Sequence, residues 1–287
     1  MARNYYYLVA GLPDLVMEDR KMAFSSVALR EMLHEDLHPQ DYRLVCLFFL
    51  PYDHQNIINR LFNKDIPFDK RGVYPEELID EVTDKKTFEL AEETGLPVYV
   101  DQFLNDFYER EEKPARDDAE RQLTAAYYQM LLEGSNTFVS AFAHQELTVR
   151  NIIVALNGRK YDLEVEKDIM GQGDVVDALK KSRARDFGLT TDVEMLDHLM
   201  QIHENPDPLD REMKLDLMRW QFLDEETFFN YFTIEKVLAF TLKLMIVERW
   251  FELDEERGRE LFKNLINDLE TGYEFPEEFK LSHGKKK

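Results

Sequence analysis

Apolar residues recur along most of the chain at the three- and four-residue spacing that is typical of amphipathic helices. Asp41–Leu50 is ambiguous, because a short apolar run fits either a buried strand or a buried helix. The spacing predicts helices over Met17–Leu37, Asp53–Phe62, Glu76–Val82, Lys85–Glu93, Val98–Glu109, Leu123–Gly134, Thr137–Leu156, Val193–Met200, Pro208–Leu223, Asp224–Leu253 and Asp254–Leu269. We therefore predict an all-α protein of repeated helical units, with one small extended element near Tyr5–Ala10.

Breaks in this pattern suggest how the chain is organised. Glu109–Asp118 carries a proline and many acidic residues but no large apolar residue, which fits a linker or, preferably, a solvated junction between helices. We place a boundary there, between an N-terminal helical unit over 1–110 and a C-terminal region over 111–287 that contains one or two further related units. Gly158 is predicted to end the helix that starts at Thr137, because glycine is the usual left-handed terminator.

A short motif occurs twice. Asp53–Leu61 and Thr148–Leu156 share the pattern Asn-Ile-Ile-x-x-Leu, and Lys243–Trp250 is a degenerate third candidate. Stacked helical units bury faces that one unit cannot bury alone. The residues that we single out in the two copies are Asp53, Asn56, Ile57, Ile58, Thr148, Asn151, Ile152 and Ile153.

Asp53 in the first copy follows Pro51 and is predicted to be a helix N-cap, with Asn56 in the first turn. Ile57, Ile58 and Leu61 are then expected to pack on a neighbouring helix. Both copies are therefore predicted to act structurally.

Charge narrows the classes of partner. The 287 residues include 36 Lys and Arg against 58 Asp and Glu, a net charge of −22. Nucleic-acid and anionic-lipid binding both depend on basic residues, so neither is expected. The longest unbroken apolar run, Leu44–Leu50, is far too short for a membrane span. One cysteine, Cys46, excludes a disulfide framework, and we expect a cytoplasmic protein.

One motif suggests metal chemistry. His34-Glu35-Asp36-Leu37-His38 is a literal His-Glu-x-x-His, in which the two histidines of a zinc peptidase share a helix face. Pro39 biases His38 away from helical geometry, and no third ligand is evident. Cys46 lies in an apolar run, where a thiol is normally inert. We therefore predict no catalytic residue, no cofactor and no metal ligand.

Aromatic residues concentrate towards the end of the chain. They are Trp220, Phe222, Phe228, Phe229, Tyr231 and Phe232. We favour a core between adjacent helices, and the alternative is an exposed surface that binds a partner.

The repeated motif also carries a family resemblance. Asp53–Leu61 resembles the Asp-x-x-Asn-Leu-x-x-x-Leu pattern of the C/d family of V/A-type ATPase (ATP synthase) subunits. Phe138–Lys160 resembles the second such helix of that family, and Ile234–Ile266 resembles its closing helices. The opening, Asn4-Tyr-Tyr-Tyr-Leu-Val-Ala-Gly-Leu-Pro-Asp14, resembles an uncharacterised bacterial family associated with V-type ATPase subunits. Thr148 replaces the second aspartate of the pattern.

The resemblance implies three similar helical units about a pseudo-threefold axis. It implies a non-catalytic central-stalk subunit between the rotating shaft and the membrane c-ring of a bacterial V/A-type ATPase, peripheral to the inner membrane through protein contacts. The alternative is a free-standing helical adaptor that binds a basic protein. In the stalk, we expect acidic residues on the outer wall and Arg159, Lys160 and Lys285–Lys287 nearer the contacts.

Overall fold

The computed structural model describes the backbone of residues 3–17, 23–90 and 93–272, and side chains in the same ranges as far as residue 253. Within these ranges the chain folds into helices and contains no strand, which confirms the predicted all-α class. The described helices are α1 Tyr6–Gly11, α2 Ser26–Asp36, α3 Pro39–Leu47, α4 Leu50–Phe62, α5 Glu76–Thr83, α6 Lys85–Leu90, α7 Val98–Glu109, α8 Arg116–Leu132, α9 Thr137–Tyr161, α10 Asp174–Lys181, α11 Leu196–Glu204, α12 Pro208–Glu226 and α13 Ile234–Gly272.

The extended element predicted near Tyr5–Ala10 is wrong, because α1 occupies this segment. Leu8 and Val9 pack against the larger of the two apolar cores described below, whereas Tyr6 and Tyr7 face solvent. Two exposed neighbours followed by two half-buried ones suit a helix and not a strand, in which successive side chains alternate between faces.

The helices that follow differ from their predicted bounds. The predicted helix over Met17–Leu37 is too long: residues 18–22 lie outside the described part, and α2 begins only at Ser26. Ser25 caps it, because its hydroxyl accepts from the N–H of Ala28 at 3.1 Å. The ambiguous apolar run is helical in α3, with Pro39 in the first turn.

The prediction that Gly158 ends α9 is wrong, because this glycine lies inside the helix. The helix continues to Tyr161, and Asp162 takes the left-handed position with φ 53°. A Cβ atom at position 158 would clash with the side chain of Val165, so this glycine allows close packing of the returning chain. The segment from Asp162 to Gly173 is irregular, as its sequence indicates.

The end of the described chain is one helix and not two. Asp224, predicted to cap a helix, lies within α12, where its carboxylate pairs with Lys243 at 2.5 Å. The long helix α13 starts at Ile234 and continues through Asp254, which was predicted to start a new helix. At about 1.5 Å per residue, its 39 residues span about 60 Å.

Two apolar cores lie along α9. Its N-terminal half contributes Phe138 and Ala143 to the larger core, which also draws on α2 to α8 and α12 to α13. Its C-terminal half contributes Ile152 and Leu156 to a smaller core with α10, α11 and α12. The predicted boundary at residue 110 separates α7 from α8, which pack against each other in the larger core.

A helix that crosses a membrane needs about 20 consecutive, mainly apolar residues. Across the described ranges, no helix combines the necessary length with the necessary hydropathy.

Candidate functional site

Asp53 holds a loop and does not cap a helix, so its predicted N-cap role is wrong. The helix α4 begins at Leu50, and the side chain of Asp53 is 1% exposed inside it. Its carboxylate accepts from the backbone N–H of Val73 at 2.8 Å and of Tyr74 at 3.1 Å. The residue that looked like a local cap therefore binds backbone twenty residues further along the chain.

Burial raises the pKa of Asp53 to about 6. Desolvation of the carboxylate is the largest cause, and the N–H donors of Val73 and Tyr74 act against it. Gly72 is part of the same arrangement, because a Cβ at this position would overlap the Asp53 carboxylate. The loop thus approaches α4 as closely as a glycine allows.

Asn56 holds the same loop through two hydrogen bonds of its side-chain amide. Its Nδ2 donates to the carbonyl of Asp69 at 2.9 Å, and its Oδ1 accepts from the N–H of Asp69 at 2.8 Å. One side chain therefore satisfies both polar groups of one backbone residue. We call this arrangement the amide clamp.

The second motif copy forms the same amide clamp. Nδ2 of Asn151 donates to the carbonyl of Met170 at 2.8 Å, and Oδ1 accepts from the N–H of Met170 at 2.9 Å. Thr148, which stands where the first copy has Asp53, is half-buried, and its hydroxyl has no hydrogen bond within the described residues. The two copies share the clamp but not the buried carboxylate.

The isoleucines of the motif pack in different cores. Ile57 and Ile58 are both 1% exposed in the larger core. Ile152 is fully buried in the smaller core, and Ile153 lies half-buried against it. The degenerate third candidate, Lys243–Trp250, contains no asparagine and forms no amide clamp.

A cleft of about 500 Å³ lies between α4, α8, α9, α12 and α13, and its apolar lining belongs to the larger core. Its floor is mainly apolar and includes the side chains of Phe48, Tyr127, Tyr128, Phe142, Leu242, Met245 and Ile246.

One wall of the cleft carries an ion-pair network centred on the buried carboxylate of Asp216, whose side chain is 2% exposed. Its carboxylate accepts from Arg219 at 2.7 Å, from Arg249, and from the indole N–H of Trp250 at 2.7 Å. Arg219 also pairs with Glu146 at 2.8 Å. Burial lowers the pKa of Arg219, but these carboxylates hold it above its ordinary value. Ion pairs and hydrogen bonds therefore hold the charged side chains of this wall in place.

The mouth of the cleft carries further charges. Arg71 lies 4.4 Å from the ring of Tyr52 and 3.6 Å from the carboxylate of Glu252. Glu248 accepts from both the hydroxyl and the N–H of Ser26. Sequence reasoning missed these charged residues, although Asp216 and Arg219 are spaced as a helical i,i+3 pair.

His54 is a buried residue of the motif helix α4. Its Nε2 shares a hydrogen bond of 2.6 Å with the hydroxyl of Tyr99, and the rings of Tyr99 and Tyr127 pack edge-on against it. Burial lowers the pKa of His54 to about 3. The imidazole is therefore a neutral part of the core.

The His-Glu-x-x-His segment does not form a helical ligand pair. The helix α2 ends at Asp36, and His38 is the N-cap of α3, where its ring nitrogen accepts from the N–H of Gln40 at 3.3 Å. His34 lies on α2 and packs edge-on against Tyr42. No group of three or more His, Cys, Asp or Glu side chains suited to a metal ion is found among the described residues.

The aromatic residues near the end of the chain do not form the core that we favoured. Trp220 and Phe222 are half-buried, but Phe228, Phe229 and Tyr231 are 65%, 82% and 65% exposed. They lie in the turn between α12 and α13, where no other described part of the chain covers them. The alternative interpretation, an exposed surface, describes these three residues.

Of the basic residues expected near partner contacts, Arg159 is engaged within the chain. The guanidinium of Arg159 lies 3.5 Å from the ring centre of Phe187 and donates to the carbonyls of Ser182 and Ala184. It therefore holds the chain after α10. Lys160 is exposed, and Lys285–Lys287 lie outside the described residues.

Comparison with known proteins gives one family. The family model described as "Protein of unknown function (DUF2764)" matches residues 1–273. Neither the curated proteins nor the solved structures contain a match to the chain.

Proposed function

The chain belongs to the DUF2764 family, and we propose that it is a non-catalytic central-stalk subunit that couples the rotating shaft to the membrane ring of a bacterial V/A-type ATPase. The resemblance of its two Asn-Ile-Ile segments to the C/d family motivates the proposal. The observation that carries it is the cleft, which combines an apolar floor with a charged wall and mouth.

The make-up of the cleft suits a protein occupant. Protein interfaces combine an apolar centre with a polar rim. Met245 and Ile246 contribute to an apolar floor, whereas Arg71 and Glu252 provide charge at the mouth. The proposed occupant is the tip of the shaft.

A protein that transmits torque has to resist deformation. The clamps at Asn56 and Asn151 tie loops to helices at both polar backbone atoms, and the Asp216 network ties α12 to α13. The helix α13 lines the cleft between Leu242 and Glu252 and is about 60 Å long in all. These features favour a stiff body and support a mechanical role.

The proposed location is the cytoplasmic face of the inner membrane, reached through protein contacts with the shaft and the ring. A net charge of −22 disfavours direct contact with anionic lipid or nucleic acid. The ATPase itself would move protons or sodium ions, and this protein would bind neither ion nor nucleotide.

Co-purification tests the proposal. The tagged full-length chain is expressed in its native host, and the proteins recovered from gently solubilised membranes are identified by mass spectrometry. Subunits of a rotary ATPase are expected. Recovery of a basic protein without any ATPase subunit would favour the free-standing adaptor and overturn the proposal.

Cleft variants sharpen this test. Met245→Glu places a charge on the apolar floor, and Glu252→Lys reverses a charge at the mouth. The matched controls are Met32→Glu on α2 and Glu112→Lys in the α7–α8 junction, both at exposed positions. With thermal melting showing that all four variants fold, only the cleft variants should lose the ATPase subunits. If all four variants recover the ATPase subunits equally, the cleft is not the binding site for the shaft.

A further inference from the structure

The turn between α12 and α13 and the adjoining α1 present an aromatic surface to solvent. We define this aromatic surface by the side chains of Phe228, Phe229, Tyr231, Phe232, Tyr6 and Tyr7. The exposed fraction reaches 82% at Phe229 and 96% at Tyr7. Large contiguous apolar patches are uncommon on monomeric proteins and mark interaction sites.

The aromatic surface is held in shape by the fold. The N–H of Tyr5 donates to the carbonyl of Phe232 at 2.6 Å, and the ring of Tyr6 lies 4.8 Å from the ring of Phe232. Phe228 and Phe229 pack edge to face at 4.9 Å. A surface that is ordered before binding loses less conformational freedom when a partner arrives.

Charge next to the aromatic surface is negative. Glu225 and Glu226 are exposed at the end of α12, and neither carboxylate has a hydrogen bond or ion pair within the described residues. Neighbouring cations are already engaged: Arg3 pairs with Asp41 at 3.3 Å, and Lys243 pairs with Asp224. Lys236, in the first turn of α13, is half-buried.

Together, these features specify the chemistry of the occupant. We propose that the aromatic surface docks a cationic amphipathic helix of a partner protein. Its apolar face would cover the rings of Phe228 and Phe229, and its Lys or Arg side chains would meet Glu225 and Glu226. Aromatic faces also attract cations directly, which adds to the pairing with the carboxylates.

Two other occupants fit less well. An anionic membrane would be repelled by the exposed carboxylates and by the net charge of −22. A second copy of the chain would bring the same acids opposite each other, because a twofold contact pairs identical surfaces.

This surface is separate from the cleft. None of its six side chains lines the cleft, and Leu242, the first cleft residue of α13, lies about 12 Å along the helix from Ile234. The proposal does not rest on the ATPase role, so either can fail without the other.

A synthetic probe tests the proposal directly. The probe is an amphipathic peptide of leucine and lysine, about 14 residues or four helical turns long. A matched peptide carries glutamate in place of lysine. Binding to the full chain is measured by calorimetry at low and high salt, and the lysine peptide alone is expected to bind.

Variants locate the binding. Phe228→Ser combined with Phe229→Ser should weaken binding of the lysine peptide about tenfold or more, since aromatic anchors dominate interface affinity. Glu225→Gln combined with Glu226→Gln should weaken it several-fold and reduce its salt dependence. The matched control is Tyr161→Ser, at another exposed aromatic position, and it should bind as the wild type does.

Three results would overturn the proposal. The first is undiminished peptide binding by the Phe228/Phe229 variant, which would show diffuse attraction to an acidic protein. The second is stronger binding to vesicles of phosphatidylcholine and phosphatidylglycerol than to the peptide. The third is a wild-type dimer in sedimentation that dissociates in the Phe228/Phe229 variant, which would make a second copy the occupant.

Discussion

Asn56 in α4 and Asn151 in α9 hold their loops in the same way: each side-chain amide donates to the carbonyl and accepts from the N–H of a single loop residue. A carboxamide offers a donor and an acceptor side by side at any pH, so asparagine suits this position in both copies. The repeated sequence motif therefore corresponds to a repeated hydrogen-bonding arrangement. The equivalence supports reading the two segments as copies of one motif.

Replacing either clamp asparagine by aspartate removes the donor and brings a carboxylate against a backbone carbonyl. We expect Asn56→Asp and Asn151→Asp each to lower the free energy of unfolding by about 1–3 kcal/mol, the cost of an unsatisfied buried polar group. Urea denaturation at pH 7 measures the change. The exposed control Gln102→Glu on α7 carries the same change from amide to acid and should be close to neutral. A neutral Asn151→Asp would show that the second clamp adds nothing to stability.

A methyl group at position 72 should disturb the Asp53 loop. We expect Gly72→Ala to cost about 1–3 kcal/mol, as overpacking does, because the new Cβ overlaps the Asp53 carboxylate. The matched control is Gly11→Ala, where a Cβ meets nothing within 4 Å. Thermal melting of both variants provides the comparison, and equal melting points would contradict the close approach.

Asp53 and His54 should affect acid stability in opposite directions. The folded chain holds a proton on Asp53 up to about pH 6, so this residue adds stability as the pH falls from about 6 towards about 4. The unfolded chain protonates His54 near pH 6.5, whereas the folded chain does so only near pH 3. His54 therefore removes stability as the pH falls from about 6.5 towards 3.

Single variants separate these two effects. Between pH 8 and pH 5, His54→Gln should gain about 2 kcal/mol of unfolding free energy relative to the wild type, at about 1.4 kcal/mol per pH unit. Over the same range, Asp53→Asn should lose about 1 kcal/mol relative to the wild type. Urea titrations at both pH values test this, and differences of the same sign would contradict the assignment.

Asp216 is expected to be the most sensitive position in the cleft. Asp216→Ala leaves Arg219, Arg249 and the indole of Trp250 without their shared acceptor, and a lost hydrogen bond to a charged group costs about 1.5–3 kcal/mol. Asp210→Ala on the same helix removes a surface pair with Lys214 and should cost under about 1 kcal/mol. Urea denaturation of the two variants gives the comparison, and similar losses would show that the network is no stronger than a surface pair.

Trp250 offers a spectroscopic check of the same network. In a Trp220→Phe background, Trp250 is the sole tryptophan of the chain. Asp216→Ala should shift its fluorescence emission, because the indole N–H loses its acceptor at 2.7 Å. An unchanged spectrum would show that the hydrogen bond does not form in solution.

Helix locations were largely predictable from local signals. The bounds of α7 agree with the sequence pattern, and the predicted starts of α9 and α12 were correct. Asn136 caps α9, and Pro208 is suited to the first turn of α12. Helix ends were predicted wrongly where a residue typical of a helix terminus makes a tertiary contact instead. Gly158 looked like a terminator but makes room for Val165, and Asp224 looked like a cap but pairs with Lys243.

The sequence by itself determined the all-α class, most of the helices and the twice-repeated motif, because helical periodicity and short motifs are properties of neighbouring residues. Only the tertiary structure decided that Asp53 binds the loop at Val73, that Asp216 gathers two arginines, and that Phe229 faces solvent. These depend on which distant segments come together. A local pattern can mark a residue as buried or aromatic, but the packing of remote helices decides what the residue touches.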